Sequence, residues 1–149
     1  MAVKNGVALN WGGFDKVVGK ASSKMGDTKK ALMASIGEAL VSSTLKRFDA
    51  EEGPDGKPWQ PSKRAAAESG KTLTNTAELR KSIGYAATAS MVMVGSNNVV
   101  YARIHQMGGK AGKGHHVSIP ARPYLGVSKE DREEAMAVIA EFLAGTFKA

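Results

Sequence analysis

The amino-acid pattern predicts an α+β fold: a small antiparallel sheet packed against a long helix in the N-terminal half and a C-terminal helix, with long loops suited to contacts with other subunits. Three observations predict it. Residues 28–48 place Leu32, Ile36, Leu40, Leu45 and Phe48 along one helical stripe. Two short apolar runs at 85–88 and 91–95 flank a tight turn. Residues 128–143 open on a capping signal and continue with a second apolar stripe. A chain of 149 residues suggests one domain, here 1–149, and can bury about 70% of its unfolded surface. Hydrophobic residues at 42% and charged residues at 23% place it among globular chains rather than disordered ones.

Taken in order, Val7-Ala8-Leu9-Asn10-Trp11 alternates and reads as a short strand, broken by Gly12-Gly13. Phe14, Val17, Val18 and Ala21 recur at helical spacing and predict a short helix. Asp27 is placed to cap the long helix 28–48, an amphipathic rod of about 30 Å. Its expected role is to cover the sheet.

Residues 50–72 read as a long connection. Pro54-Asp55-Gly56 is turn chemistry: proline presets φ, aspartate bonds its own backbone, glycine takes positive φ. Pro58 and Pro61 hold the chain extended around Trp59, which either pins the loop to its own core or anchors a neighbour. Asn75, with Glu78 at capping-box spacing, starts a short helix that buries Leu79 and Ile83 and stops at Gly84. The strands 85–88 and 91–95 follow. Met91-Val92-Met93-Val94 is continuously apolar, so that strand is expected to be covered on both faces. Residues 99–106 predict a short helix. Residues 108–114, with four glycines and two lysines, predict a flexible loop. Val117-Ser118-Ile119 reads as an edge strand and residues 124–127 as its partner. In the last helix Ser128 and Asp131 form an S-x-x-D box, acidic residues load the first turns, and Ala135, Val138, Ile139, Phe142 and Leu143 form the buried face.

Most catalytic chemistry is excluded by what the chain lacks. There is no cysteine, which removes disulfides and thiolates and fits a reducing compartment. The start of the chain lacks the apolar run of a signal peptide and no stretch reaches the roughly 20 apolar residues of a membrane span, so a soluble product that meets no membrane is expected. Ser69-Gly70-Lys71-Thr72 imitates the end of a phosphate loop, but the first glycine of G-x-x-x-x-G-K-[ST] would fall on Ala65. Gly112-Lys113 fails likewise, on Met107 and Gly114. His105, His115 and His116 lack the helical spacing of zinc ligands. No G-x-S-x-G elbow occurs, and adjacent Glu51 and Glu52 point apart. The expectation is a non-enzyme with no metal and no cofactor.

The net charge of +7, from 21 basic against 14 acidic residues, points to an anionic neighbour such as nucleic acid. The charges are dispersed and aromatics are 6% of residues, so a stacking platform for single strands is poorly supported. A basic nucleic-acid-binding module is the competing reading. Tyr101 and His105, four residues apart, share a helix face that either locks the short helix to the sheet or makes a subunit contact.

Several short motifs occur in a fixed order. They are Arg47-Phe48; Pro54-Asp55-Gly56-x-Pro58-Trp59; Leu73-Thr74 with Leu79 and Ser82-Ile83; Val94-Gly95-Ser96-Asn97; Tyr101-Ala102-x-x-His105-Gln106-x-Gly108; and Ile119-Pro120-Ala121-Arg122-Pro123-Tyr124-Leu125-Gly126. In this order they resemble the phage virion morphogenesis, or tail completion, family of tailed phages and Mu-like prophages, from about residue 30 to residue 145. The resemblance implies a structural virion protein without catalysis, acting late in assembly where a finished tail meets a DNA-filled head. It implies a homo-oligomeric ring at the neck in contact with other neck, connector and tail proteins, so the expected location is the virion, and the host cytoplasm during assembly.

A ring needs one patch to meet a different patch on the next copy. The expected interface residues are Pro54, Asp55, Trp59, Tyr101, His105, Arg122, Pro123 and Tyr124, in rigid proline-rich segments that carry the residue types enriched at hot spots. Lys110, Lys113, His115 and His116 are expected to face passing double-stranded DNA or an acidic neighbour.

Overall fold

A computed structural model describes residues 5–10, 25–97 and 100–147. The expected helix over 14–21 lies outside the described residues, as does Trp11 at the end of the first strand. Three strands form an antiparallel sheet: β1 (Asn5–Asn10), β2 (Ile83–Ala87) and β3 (Met91–Ser96), in the order β1-β3-β2. The turn at 88–90 is tied by Thr88, whose N–H donates to the Met91 carbonyl at 2.8 Å. The long helix α1 (Met25–Ala50) packs across β2 and β3 and along the last helix, α5 (Lys129–Phe147). This is the α+β arrangement that the periodicity predicts.

The core lies between these layers. Leu32, Met33, Ile36, Leu40 and Phe48 of α1 meet Ile83, Val92 and Val94 of the sheet and Ala135 and Ile139 of α5, all buried. Each large aliphatic side chain withdrawn from water contributes about 1.5–3 kcal/mol. The helix comes close to the sheet at Gly37, where a Cβ would sit 2.5 Å from the Tyr85 ring and 3.0 Å from Val92. In β3 Val92 and Val94 are buried while Met91 and Met93 are half-buried, so the strand is packed firmly on its α1 face only. The expected double coverage is corrected accordingly.

Several boundaries differ from expectation. The long helix begins two residues before Asp27, which sits in its first turn rather than at the cap. The connection 50–72 is not all loop. It contains α2 (Lys63–Glu68), whose cap Ser62 accepts from the Ala65 N–H at 3.1 Å. The short helix expected from Asn75 is α3 (Glu78–Lys81), preceded by Ala77 in the left-handed region with φ 58°, and Ile83 and Gly84 belong to β2. Residues 124–127 form no strand. The partner of β5 (Val117–Ile119) is β4 (Gly109–Ala111), joined through a 3-10 turn, Lys113–His115. The expected flexible loop is thus a paired ribbon, and positive φ at Gly108, Gly112 and Gly114 supplies the bends it needs. The Ser128–Asp131 box forms in both directions, at 2.8 and 3.1 Å.

Candidate functional site

The phosphate-loop look-alike resolves first, as structure. Ser69 closes α2 with left-handed backbone, the Lys71 ammonium donates to the Asp49 carbonyl at 2.6 Å, and the Thr72 N–H donates to the Glu51 carboxylate at 2.6 Å. The segment is stitched to the end of α1 and leaves no nest for a phosphate. Among the described residues no three His, Asp or Glu side chains gather as metal ligands, and no helix is long and apolar enough to cross a membrane.

The elements that bear the expected interface residues converge on the irregular corner 120–126. Four consecutive carbonyls there accept side-chain donors from elsewhere. Pro123 O takes the Trp59 indole N–H at 2.8 Å, and Leu125 O takes the Gln106 amide at 3.0 Å. Tyr124 O and Gly126 O both take Arg47 Nη1, each at 3.0 Å. The Gln106 amide oxygen also accepts from the Tyr124 and Leu125 N–H groups, at 3.0 and 2.9 Å. One side-chain amide therefore does for the corner what a neighbouring strand would do. The short helix α4 (Ala102–Met107) holds the corner twice more: His105 O accepts from the Arg122 N–H at 2.7 Å, and Ala102 O accepts from the Tyr124 hydroxyl at 2.9 Å. Burial pushes that phenol up to about 12.

This geometry explains the spacing His105-Gln106-x-Gly108. Gln106 must face the corner, and the chain must then turn sharply away beside it. Gly108 has φ 72°, and a Cβ there would lie 2.8 Å from the Ala121 nitrogen. At the far end Gly126 packs on the Pro54 ring, where a Cβ would come within 2.4 Å.

Arg47 is the hub. It is 6% exposed and joins the end of α1 to the corner and, through a charged hydrogen bond to Asp131, to the start of α5. Burial alone would raise the Asp131 carboxyl, but hydrogen bonds from Ser43 and Ser128 and the Arg47 charge outweigh it and hold it below the usual carboxylate range. Phe48, beside Arg47, packs its ring against Trp59 at 5.5 Å and against Tyr124 at 5.4 Å.

The expected interface set divides accordingly. Trp59, Arg122 and Tyr124 are buried inside the subunit, at 6%, 5% and 1% exposure. For Trp59 and Tyr124 this corrects the expectation that their side chains face a neighbour, because each is bonded and packed within the chain. The Arg122 side chain is tied only through its Nε, and it lines the cleft that Tyr101 and His105 also line. Trp59 pins its loop, the first of its two readings. Asp55 is exposed at the tip of the loop 51–59, held below its usual range by hydrogen bonds from the Lys57 backbone and side chain. Pro54 is half-buried under Gly126, and Pro123 is exposed.

Tyr101 and His105 stack edge-on at 5.7 Å, and the Tyr101 hydroxyl donates to Glu78 at 2.9 Å. Tyr101 is 38% exposed and His105 half-buried, and together they line one wall of a cleft of about 450 Å³ between α3, α4 and Arg122. Burial, and then the Arg122 charge, push the His105 imidazole down. Lys110, Lys113, His115 and His116 all lie exposed on the ribbon, and none of them lines this cleft.

Sequence reasoning assigns no role to Arg47 or Gln106, and to Asp131 only that of a helix cap. The signals were present: Arg47 follows directly in the apolar stripe of α1, and Gln106 and Asp131 lie within motifs already noted.

The chain matches the model of the phage virion morphogenesis family over residues 9–144. It is 35% identical over 112 residues to Mu-like prophage FluMu G protein 2 of Haemophilus influenzae, covering 74% of this chain and 75% of that protein. It is 29% identical over 133 residues to the putative capsid assembly protein G of Escherichia phage Mu, covering 80% and 82%. No solved structure matches. The motifs that build the corner fall within the matched span, and this chain belongs to the phage virion morphogenesis family.

Proposed function

We propose that this virion morphogenesis protein is a structural, non-catalytic subunit that completes the tail and joins it to the head. In this reading it assembles as a ring at the neck, contacts other neck, connector and tail proteins, and lets packaged DNA pass. The observation that carries the reading is the ribbon Gly109–Ile119. Residues 112–118 are all exposed, and Ala111 and Ile119 are only half-buried. A two-stranded ribbon is marginal in water unless something covers it, so a role for it in an assembly is the simplest account of its retention. Its polar side chains Lys110, Lys113, His115 and His116 suit the phosphates of passing DNA. The segments 54–61 and 120–123, tied to each other by the Trp59–Pro123 and Arg122–Gln60 bonds, supply edges of constant shape for the neighbouring copy.

Electron microscopy of a lysate from a phage with an early stop codon in this gene tests the reading. Filled heads beside separate or defective tails are expected. Normal infectious particles would refute it and favour the basic nucleic-acid-binding module, for which salt-sensitive binding of the isolated protein to duplex DNA is the check. Lys110→Glu with Lys113→Glu is expected to leave the subunit folded and to abolish infectivity, and undiminished infectivity would remove the DNA-facing role of the ribbon.

A further inference from the structure

The cleft beside Tyr101 and His105 contains a buried cation whose bonding is incomplete. Arg122 is 5% exposed, yet only its Nε has a partner, the Gln60 carbonyl at 2.7 Å. Among the described residues its two terminal nitrogens make no hydrogen bond, and the side chain lines the cleft. On the same wall the His105 Nδ1 is buried with no partner. Arg64, also on the lining, has its guanidinium engaged with the Lys71 carbonyl at 2.7 Å and Glu68 at 3.4 Å. The two terminal nitrogens of Arg122 are not sealed off but open on the cleft, and their planar pair matches a carboxylate.

We propose that this cleft is the seat of a single carboxylate side chain from a partner protein, gripped by the two terminal nitrogens of Arg122. The lining carries two guanidinium groups, Arg64 and Arg122, against one carboxylate, Glu78, so an added carboxylate meets an excess of positive charge. A cleft of about 450 Å³ has room for a glutamate or aspartate together with the backbone that carries it. Leu73, Leu79 and the Tyr101 ring supply apolar walls for the methylenes. Two features favour a protein carboxylate over a nucleic-acid phosphate. Arg122 is only 5% exposed, which suits a slender side chain better than a duplex backbone, and Glu78 on the lining would repel a doubly charged phosphate more than a singly charged carboxylate. The proposal rests on the assembly role, which supplies a protein partner, and is separate from the DNA-facing reading of the ribbon.

The test is an NMR titration of the full chain with glutarate, acetate and inorganic phosphate at constant ionic strength, following the Arg122 Nε–H and the His105 and Tyr101 ring signals. Saturable shifts confined to these groups, with glutarate and acetate ahead of phosphate, are expected. Glu78→Gln removes one exposed like charge and should tighten acetate binding by up to about five-fold. Arg122→Lys, which keeps a cation but loses the fork, should weaken it by a similar factor. If Arg122→Lys does not fold, the wild-type and Glu78→Gln titrations decide. A titration without saturation, a preference for phosphate, or an affinity indifferent to Glu78→Gln would each overturn the proposal. None of these outcomes bears on the lysate experiment, so the two readings fail separately.

Discussion

Replacing Arg47 with methionine keeps most of the side chain's volume and removes its charge and donors. Three acceptors then lose their partner, the buried Asp131 carboxylate and the carbonyls of Tyr124 and Gly126, and the Ser43 hydroxyl loses a longer fourth bond at 3.4 Å. Breaking a buried ion pair from one side costs about 3–5 kcal/mol, because the remaining charge is left desolvated. Asp131 keeps its hydrogen bond from the Ser128 N–H, and the Gly126 contact is only part-buried, so the lower end applies. A loss of roughly 3 kcal/mol is expected from a total of about 5–15 kcal/mol. With a urea slope of about 2 kcal/mol/M, the midpoint falls by roughly 1.5 M. Glu68→Gln, which breaks an exposed pair with Arg64, serves as the control and should change stability by no more than about 0.5 kcal/mol.

The acid limb gives a second reading of the same experiment. The Asp131 carboxyl titrates below its unfolded value, so it contributes stability above that value, and the contribution is lost as pH falls through the lowered one. Without Arg47 that depression shrinks and the acid-linked loss from Asp131 diminishes with it. A midpoint shift equivalent to less than about 1 kcal/mol would refute the assignment of Arg47 as the hub, since it would mean that the three acceptors are already served by water.

Trp59→Ala empties a site packed against Phe48 and frees the Pro123 carbonyl, so about 3–5 kcal/mol should be lost in urea unfolding rather than joining activity alone. Gln106→Leu leaves two N–H groups and one carbonyl of the corner unpaired; about 2–3 kcal/mol is expected, with hydrogen exchange at Tyr124 and Leu125 accelerated while β3 stays protected. Gly108→Ala meets both an unfavourable φ and the Ala121 backbone, so a cost of about 2–3 kcal/mol in thermal or urea unfolding is expected, against a neutral result if the ribbon can swing away.

What was legible in the chain follows from which forces are local. The stripe Leu32-Ile36-Leu40 and the Ser128–Asp131 box state α1 and α5 outright, because periodicity and capping act within one or two turns. β2 and β3 were legible from two apolar runs and a turn. α2 was hidden: its cap Ser62 follows Pro58 and Pro61, which read as extended chain, and six residues carry too few apolar positions to show a period. α3 starts from left-handed Ala77 with no side-chain cap, a state imposed by packing rather than preference. The ribbon was mistaken for a loop because glycine signals both freedom and the positive φ of a tight ribbon. The candidate site was half legible. The motifs around Trp59, Gln106 and Arg122 marked the right segments, but whether a side chain turns inward depends on acceptors far away in sequence, which no local pattern encodes.

The four carbonyls at 123–126 have a kinetic implication. Their donors lie 64, 77, 79 and 19 residues away, so the corner has almost no local support and closes only after α1, the loop of Trp59 and α4 have found one another. A chain stalled part-way, or nicked in any of those segments, lacks the rigid edge at 120–123. Completion of the fold is in this sense written onto the outer surface: in the proposed assembly, a neighbouring subunit that required this edge would engage only finished copies, and defective ones would be left out of the particle without a separate inspection step.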